Sequence, residues 1–491
     1  MTRRLWRACA LAPMALALGA CMTVGPDYKL PKDALVNAPL AQGPLAGAQN
    51  APVAAGDLPA DWWRLYDDPV LDSLVQNALK SNTRLREAAA NIERSSAVVE
   101  AARAAGGFTA STSAMFERAQ ESGEQYLLYS KLPVANEGVL GLNVSYELDL
   151  FGKLRRGVEA ARADDEAARA AADLARITVV AGVVQAYVES CAAGDELAIA
   201  QQSLRLQRER VRLSQRLRDV GRGDQPEVTR GVTQAQTIAA DIPRLVGRQR
   251  AAQYQLAMLL AVAPASLPPA VQTCSRLPQL TQPIPVGDGA TLLKRRPDVR
   301  EAERQLAAAT ARIGVATAAL YPSISLGASA GSVGVAADLF QPDTNRWSIG
   351  PLISWSFPIN GQRQRVSEAQ ASTRGALAHF DGVVLNALRE TQTNLASYAA
   401  DAQHVEALRA AFASAQESAN ETHRLYAAGR ESFLADLDAT RTLTSLRAQV
   451  AAAEGQEALD QVKLFLSLGG GWEQTQAPAQ ARTEKAAAAR Q

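Results

Sequence analysis

Three histidines, four cysteines and two pairs of opposite charges are the residues from which this chain of 491 could build chemistry. His379, His404 and His423 fall in helical periodicity, without the HExxH spacing that brings two imidazoles onto one metal. No GxxxxGK[ST] phosphate loop occurs, so ATP hydrolysis is not expected, and no catalytic nucleophile, metal or cofactor is read. The chain reads as a non-enzyme whose energy must come from a partner. The charge pairs are Glu227 with Arg230 and Asp438 with Arg441. Each is spaced by three, hence on one helix face, and each lies just past a Gly-Arg step, Gly221-Arg222 or Gly429-Arg430. Such charges could tie helices together around an opening. On an ordinary surface they would be solvated ion pairs worth a few tenths of a kcal/mol.

The cysteines divide by position. Arg3, Arg4 and Arg7 form a basic start, Ala8 to Ala17 an apolar run, and Leu18-Gly19-Ala20-Cys21 a small-residue cut site. This is a secretory signal over residues 1–20, and its ending resembles the bacterial lipobox, in which the cysteine (Cys21) is acylated. Each buried methylene of an acyl chain contributes roughly 0.8 kcal/mol, so lipid is a partner. Met22 rather than Asp follows, which favours the outer membrane. Export leaves Cys191 and Cys274, either bonded to each other in an oxidising compartment or buried as free thiols. There are 51 basic and 50 acidic residues. Loss of the signal keeps the chain near neutrality, so nucleic acid is not an expected partner. No later run of 18 apolar residues offers a membrane helix, so any span must be a β-barrel.

The elements that carry these residues occur twice. Thr83-Arg84-Leu85-Arg86-Glu87-Ala88 is answered by Pro297-Asp298-Val299-Arg300-Glu301-Ala302, 214 residues on; Tyr146–Gly152 by Trp355–Gly361, 209 on; and Gly221-Arg222 by Gly429-Arg430, 208 on. Each half reads as a helix, two strands and two long helices. The expected organisation is a lipidated extended leader over 21–60, a first repeat over 61–263, a Pro-rich linker over 264–290, a second repeat over 291–468 and a flexible tail over 469–491. Within the first repeat, one helical stretch is read from Pro69 to Ala105.

The strands alternate cleanly. Phe108, Ala110, Thr112, Ala114 and Phe116 oppose Thr109, Ser111, Ser113 and Glu117; Leu140, Leu142, Val144, Tyr146, Leu148 and Leu150 oppose Gly141, Asn143, Ser145, Glu147 and Asp149. In the second half Ile324, Leu326 and Ala328 face away from Ser323, Ser325 and Ser329, and Trp347, Ile349, Ile353, Trp355 and Phe357 from Ser348, Gly350, Ser354 and Ser356. One apolar and one polar face over about ten residues suits a membrane strand; a soluble sheet on a core is the alternative. The helices run without proline from Lys153 to Asp219 and from Gln362 to Ala428, at ~1.5 Å per residue some 100 Å each. Their return partners are Pro226–Ala263 and Phe433–Leu468. Leu197, Leu204, Val211 and Leu217 give coiled-coil-like spacing. Four strands cannot close a barrel, and lipid tolerates no open edge. Three copies supply twelve strands, so the fold class is mixed α+β: a helical coiled-coil barrel plus a transmembrane β-barrel, twelve-stranded as a homotrimer.

The Val24-Gly25-Pro26-Asp27-Tyr28 start, Asp61-Trp62-Trp63, Arg295-Arg296-Pro297-Asp298-Val299-Arg300 with Glu301-Ala302-Glu303, Tyr321-Pro322, and Gly429 followed by Leu437-Asp438-Ala439 carry a resemblance over the whole mature chain. It is similar to the TolC-like outer membrane factor family, specifically its NodT-type lipoprotein branch. The resemblance implies an outer-membrane channel of a tripartite efflux system, working with a periplasmic adaptor and an inner-membrane pump, proton-driven in this branch. It also implies a constriction at the helix tips, with Asp438 in an acidic ring, Arg441 as its partner and Leu434 beside them. Glu227 and Arg230 are the first-half counterparts, and Gly221, Arg222, Gly429 and Arg430 form the adaptor-docking tips. Asp436 matches the ring less well, and Ala435 stands where some relatives carry a further Asp. A type I secretion duct and a periplasmic adaptor lipoprotein are the rival readings; the doubled organisation speaks against the second.

Overall fold

A computed structural model describes residues 23–470. The signal peptide, Cys21 and all of the tail beyond residue 470 lie outside the described residues. The chain forms two compact units, one of the described leader to Pro31 with Asn91–Arg169 and Glu301–Phe380, the other of Lys32–Ala90, Ala170–Arg300 and the chain from Asp381 onward.

The first unit is built on one antiparallel sheet. Strands β2 (Phe108–Ala119), β3 (Ala135–Leu148), β5 (Ser323–Val335) and β6 (Asn345–Ser354) pair in the order β2-β3-β5-β6. Its register explains why the alternation is so clean. Ala110 pairs Val144, which pairs Ala328, which pairs Ile349; one residue along, Thr109, Ser145 and Gly327 meet Gly350 on the other face. Period-2 strands in register gather Phe108, Val144, Leu326 and Ile349 on one side, while Met115, Val139, Val333 and Leu352 fall on the other. The first side is uncovered: Phe108 and Trp347 are each 79% exposed and Ile349 70%. The polar side is knitted by hydroxyls, Thr109 Oγ1 lying 2.7 Å from Ser145 Oγ and Ser329 Oγ 2.8 Å from Ser348 Oγ. The last strand ends at Ser354, so Trp355 and Phe357 stand beyond it, tilted together at 4.5 Å.

Helix α3 (Lys153–Asp219) starts where Asp149 accepts backbone N–H bonds from Leu154 and Arg155, at 3.1 and 2.9 Å. Its partner in sequence is α4 (Gln225–Leu260); α5 (Gly289–Arg295), α6 (Pro297–Ala318), α7 (Asn360–Ala427) and α8 (Phe433–Ser467) follow later in the chain. The most apolar 18-residue window of α3 is 78% buried. Its hydrophobicity therefore serves the core of the second unit, where Val180, Val183, Val184 and Val188 are fully enclosed.

Two expectations need correction. The stretch from Pro69 to Ala105 is two helices, α1 (Pro69–Ser81) and α2 (Thr83–Ala104). Asn82 breaks it: its Oδ1 accepts from the N–H of Arg84 at 2.9 Å while its Nδ2 donates to Leu259 O at 2.7 Å, capping one helix and fastening to α4. The leader is not wholly extended either. It carries short helical turns at Leu35–Asn37 and Pro39–Gln42, and β1 (Val53–Ala55) pairs in parallel with β4 (Ile284–Val286) of the Pro-rich segment. In the same unit Cys191 and Cys274 are disulfide-bonded, with Cα atoms 4.8 Å apart.

Candidate gate and docking site

The two helix reversals are built alike. Gly221 (φ 75°) and Gly429 (φ 68°) are left-handed, a conformation costing other residues about 1–2 kcal/mol. Arg222 N donates to Leu217 O at 2.7 Å and Gly221 N to Arg218 O at 2.9 Å; at the second reversal Arg430 N reaches Leu425 O and Gly429 N reaches Tyr426 O, both at 2.9 Å. These are Schellman closures of α3 and α7. Three residues past each glycine the next helix is capped. Asp224 Oδ1 accepts from Glu227 N at 2.9 Å, and Ser432 Oγ from Ala435 N at 3.1 Å. Arg222 and Arg430 stand exposed on these turns.

The charges around the tips are arranged differently from expectation. Asp438 and Arg441 are exposed and form no ion pair with each other, and Leu434 is also exposed. Arg230 is exposed as well, while burial and then Asp224 raise the half-buried Glu227 carboxyl, with Arg230 opposing. The enclosed acid is Asp436, 3% exposed. Arg210 Nη1 of α3 lies 3.4 Å from its Oδ2, and His423 Nδ1 of α7 3.1 Å from its Oδ1. Arg210 also donates to Thr440 Oγ1 of α8. Burial, Glu227 and Asp436 together raise the neighbouring Tyr426 phenol. So Asp436 joins three of the long helices just behind the tip. The signal for it lay in periodicity: Asp436 shares a face with Phe433, Leu437 and Thr440, whereas Asp438 lies about 200° round the helix.

Several arginines prove to be ties. Buried Arg156 binds the leader, with Nε to Val24 O at 3.2 Å, Nη2 to Gly25 O at 3.1 Å and to Asp27 Oδ1 at 2.7 Å, and Nη1 to Glu159 Oε2 at 2.7 Å. Gly25 (φ 89°) is required there, since an added Cβ would sit 2.4 Å from Gly314 Cα. Asp27 and Glu159 remain 82% and 42% exposed, so losing Arg156 leaves them hydrated. Arg156→Ala is therefore expected to cost only about 1–3 kcal/mol, and to free the leader. Limited proteolysis near Tyr28 should become at least several-fold faster than in the parent; equal rates would count against the tie. In the second unit Arg295 donates to Leu58 O, Arg296 reaches both α7 and α8, and Arg300 pairs with Asp173 of α3.

Gly327-Ala328-Ser329-Ala330-Gly331 fits a GxSxG pattern. Its chemistry needs a sharp strand-to-helix turn; here it lies inside β5, paired to β3 and β6. Among the described residues no cluster of His, Cys, Asp or Glu could hold a metal.

A family model described as outer membrane efflux protein matches residues 74–262 and 290–470. Nodulation protein T of Rhizobium leguminosarum bv. trifolii is 29% identical over 464 residues, 93% of this chain and 96% of that protein. The antibiotic efflux pump outer membrane protein ArpC of Pseudomonas putida is 31% identical over 490 residues, covering 97% and 98%. Among solved structures, the outer-membrane channel OprN superposes with a TM-score of 0.83 at 32% identity, over 92% of this chain and 100% of that one.

Proposed function

This chain belongs to the outer membrane efflux protein family, and we propose that its working form is a homotrimeric duct, passing small toxic molecules to the exterior from a periplasmic adaptor and a proton-driven inner-membrane pump. The observation that carries this is the open four-stranded sheet with aligned faces. An uncovered apolar face needs lipid or another surface, and unpaired edges are not tolerated in lipid. Pairing β2 of one copy with β6 of the next, three times, closes twelve strands. It turns Ser111, Asn143, Ser329 and Ser348 to a hydrophilic lumen and Phe108, Trp347 and Ile349 to the bilayer. The matching order of helix, strand pair and long-helix pair supports an internal repeat. An acyl group on Cys21 adds an anchor without spanning. Outer-membrane fractions should yield a trimer that migrates as one band unheated and as monomer after boiling; a monomer under both conditions would overturn the reading.

At the tips, Gly221-Arg222 and Gly429-Arg430 are the surface offered to the adaptor. We read Asp438 and Arg441, exposed in one protomer, as pairing between protomers around the constriction, with Leu434 beside them and Glu227 and Arg230 as their first-half counterparts. Exposed pairs are worth about 0.2–1 kcal/mol, so each lost pair should raise the open-to-closed ratio up to roughly fivefold. Asp438→Ala with Arg441→Ala is expected to increase single-channel conductance and antibiotic leak. Unchanged values would remove both residues from the gate.

A further inference from the structure

We propose that the cavity where the sheet gives way to the helices is a binding site for a zwitterionic phospholipid of the surrounding leaflet, with Arg162 holding the headgroup phosphate and Glu166 its ammonium. The inference rests on the duct reading, which puts the strands in the bilayer and the long helices outside it. The cavity has a volume of about 710 Å³ and lies wholly within the first unit, between the ends of α2 and β3, the start of α3, α6 and Tyr28 of the leader. Two observations set its height. Strand β3 ends at Leu148, and just beyond it Val24 N donates to Phe151 O at 3.1 Å. Val24 is three residues from the lipidation candidate Cys21. With acyl groups on Cys21, a chain fastened at Phe151 leaves the membrane within ~10 Å of the cavity's rim.

The lining suits an amphiphile. Leu154, Val158, Ala163 and Ala307 are apolar. Tyr146 opens the cavity toward the uncovered side of the sheet, its ring 4.9 Å from that of Phe108. An acyl chain can therefore run from the cavity onto the face that the duct reading gives to lipid. Four arginines and four carboxylates supply the polar part, a balance that favours a ligand carrying both charges over a simple anion or cation. Three of the arginines are answered within the protein: Arg103 by Glu100, Arg155 by Asp149 and Arg304 by Glu303 and Glu166. Arg162 is the exception. It is exposed and, among the described residues, has no ion pair or hydrogen bond. Two cavity carboxylates stand one helical turn to either side of it, Glu159 and Glu166. Arg156 holds the first at 2.7 Å and Arg304 the second at 3.1 Å. The Arg162 fork is thus left for an outside partner, and its geometry matches a phosphate. Glu166 is 54% exposed despite Arg304, so it can also accept from an ammonium.

Native mass spectrometry of the detergent-purified full chain tests this. The parent should retain one dioleoyl-phosphatidylethanolamine per chain and bind dioleoyl-phosphatidylglycerol several-fold more weakly. Arg162→Gln should weaken phosphatidylethanolamine binding about tenfold, the loss of one hydrogen-bonded charge. With no partner in the protein to strand, that variant keeps its fold. Glu166→Gln should abolish the preference between the two lipids. Arg94→Gln, at an exposed arginine of α2 outside the cavity, should bind as the parent does. Parent-like binding by Arg162→Gln overturns the site. Displacement of the lipid by an equal concentration of inorganic phosphate overturns it too, since the ligand would then be a free anion. Equal binding of both lipids by the parent would reduce the site to an apolar surface and likewise overturn it. A heat-resistant trimer that binds no phosphatidylethanolamine overturns this inference alone; a monomer before and after boiling overturns the duct reading instead.

Discussion

Arg296→Ala is expected to destabilise the folded chain by roughly 3–5 kcal/mol. The side chain is 8% exposed and all three of its guanidinium nitrogens donate. Nε and Nη2 hold both oxygens of Asp298 at 3.0 and 2.8 Å, Nη2 also reaches Glu390 Oε2 of α7 at 2.9 Å, and Nη1 donates to Ser467 O at the end of α8 at 2.8 Å. Thr391 Oγ1 donates to that same carbonyl at 3.2 Å. Removing the cation strands two partly buried carboxylates and leaves the Ser467 carbonyl with Thr391 as its side-chain donor. Gly469 (φ 72°) closes α8 directly against the arginine, an added Cβ coming within 3.1 Å of its Cγ.

The comparison with Arg156 shows what sets the size. Both arginines are buried, but Arg156's carboxylate partners are far more exposed. The denaturant midpoint of the protein should fall sharply for Arg296→Ala and modestly for Arg156→Ala. Arg296→Lys should recover little, because an ammonium cannot span both oxygens of Asp298. Adding Asp298→Asn and Glu390→Gln to Arg296→Met should recover more, since removing both sides of a buried pair costs less than removing one. Equal midpoints for Arg296→Ala and the parent would show that the hub carries no net stability.

How much of this could be read in advance follows from how local each signal is. The ends of α3 at Lys153 and Asp219 were legible because helix breakers flank a proline-free run, and the strand faces because a period of two survives any register that pairs like with like. The tips were legible from Gly-Arg followed by a capping residue. The break at Asn82 had a local signal too, an N-cap type before Thr83, overridden by the apolar periodicity on both sides. What stayed hidden depends on partners far along the chain. Arg296 meets Glu390 and Ser467, Arg156 meets Val24 and Asp27, and β1 meets β4, a three-residue pairing through Pro285 that no propensity announces. Asp436 was underrated for a related reason. Its spacing from Gly429 fitted the expected ring less well than that of Asp438, and only the packing of α3 and α7 shows where its charge is answered.

Loss of the Cys191–Cys274 bond is expected to cost about 4.5 kcal/mol in the chain-entropy model, with the effect concentrated at the base of the first helical pair rather than at its tip. The bridge closes a separation of 83 residues that contains the whole reversal from α3 into α4. In the unfolded chain that loop is free; bonded, its ends cannot part. The folded side is prepared for it. Cys191 is fully buried in the second unit's core, Gln249 Nε2 donates to Cys274 O at 3.3 Å, and Gly194 leaves room for that carbonyl, which would lie 2.0 Å from an added Cβ. Cys191→Ala with Cys274→Ala keeps the core apolar and isolates the crosslink. Guanidinium unfolding of the parent, with and without reductant, should show the same drop in midpoint as the double variant, because both reach the same uncrosslinked chain. A drop only for the variant would locate the effect in core packing, and none in either would show that the denatured chain is already constrained. The bond also constrains where the protein can mature, since such a crosslink forms and persists in an oxidising compartment, consistent with export past the inner membrane before the helices pack.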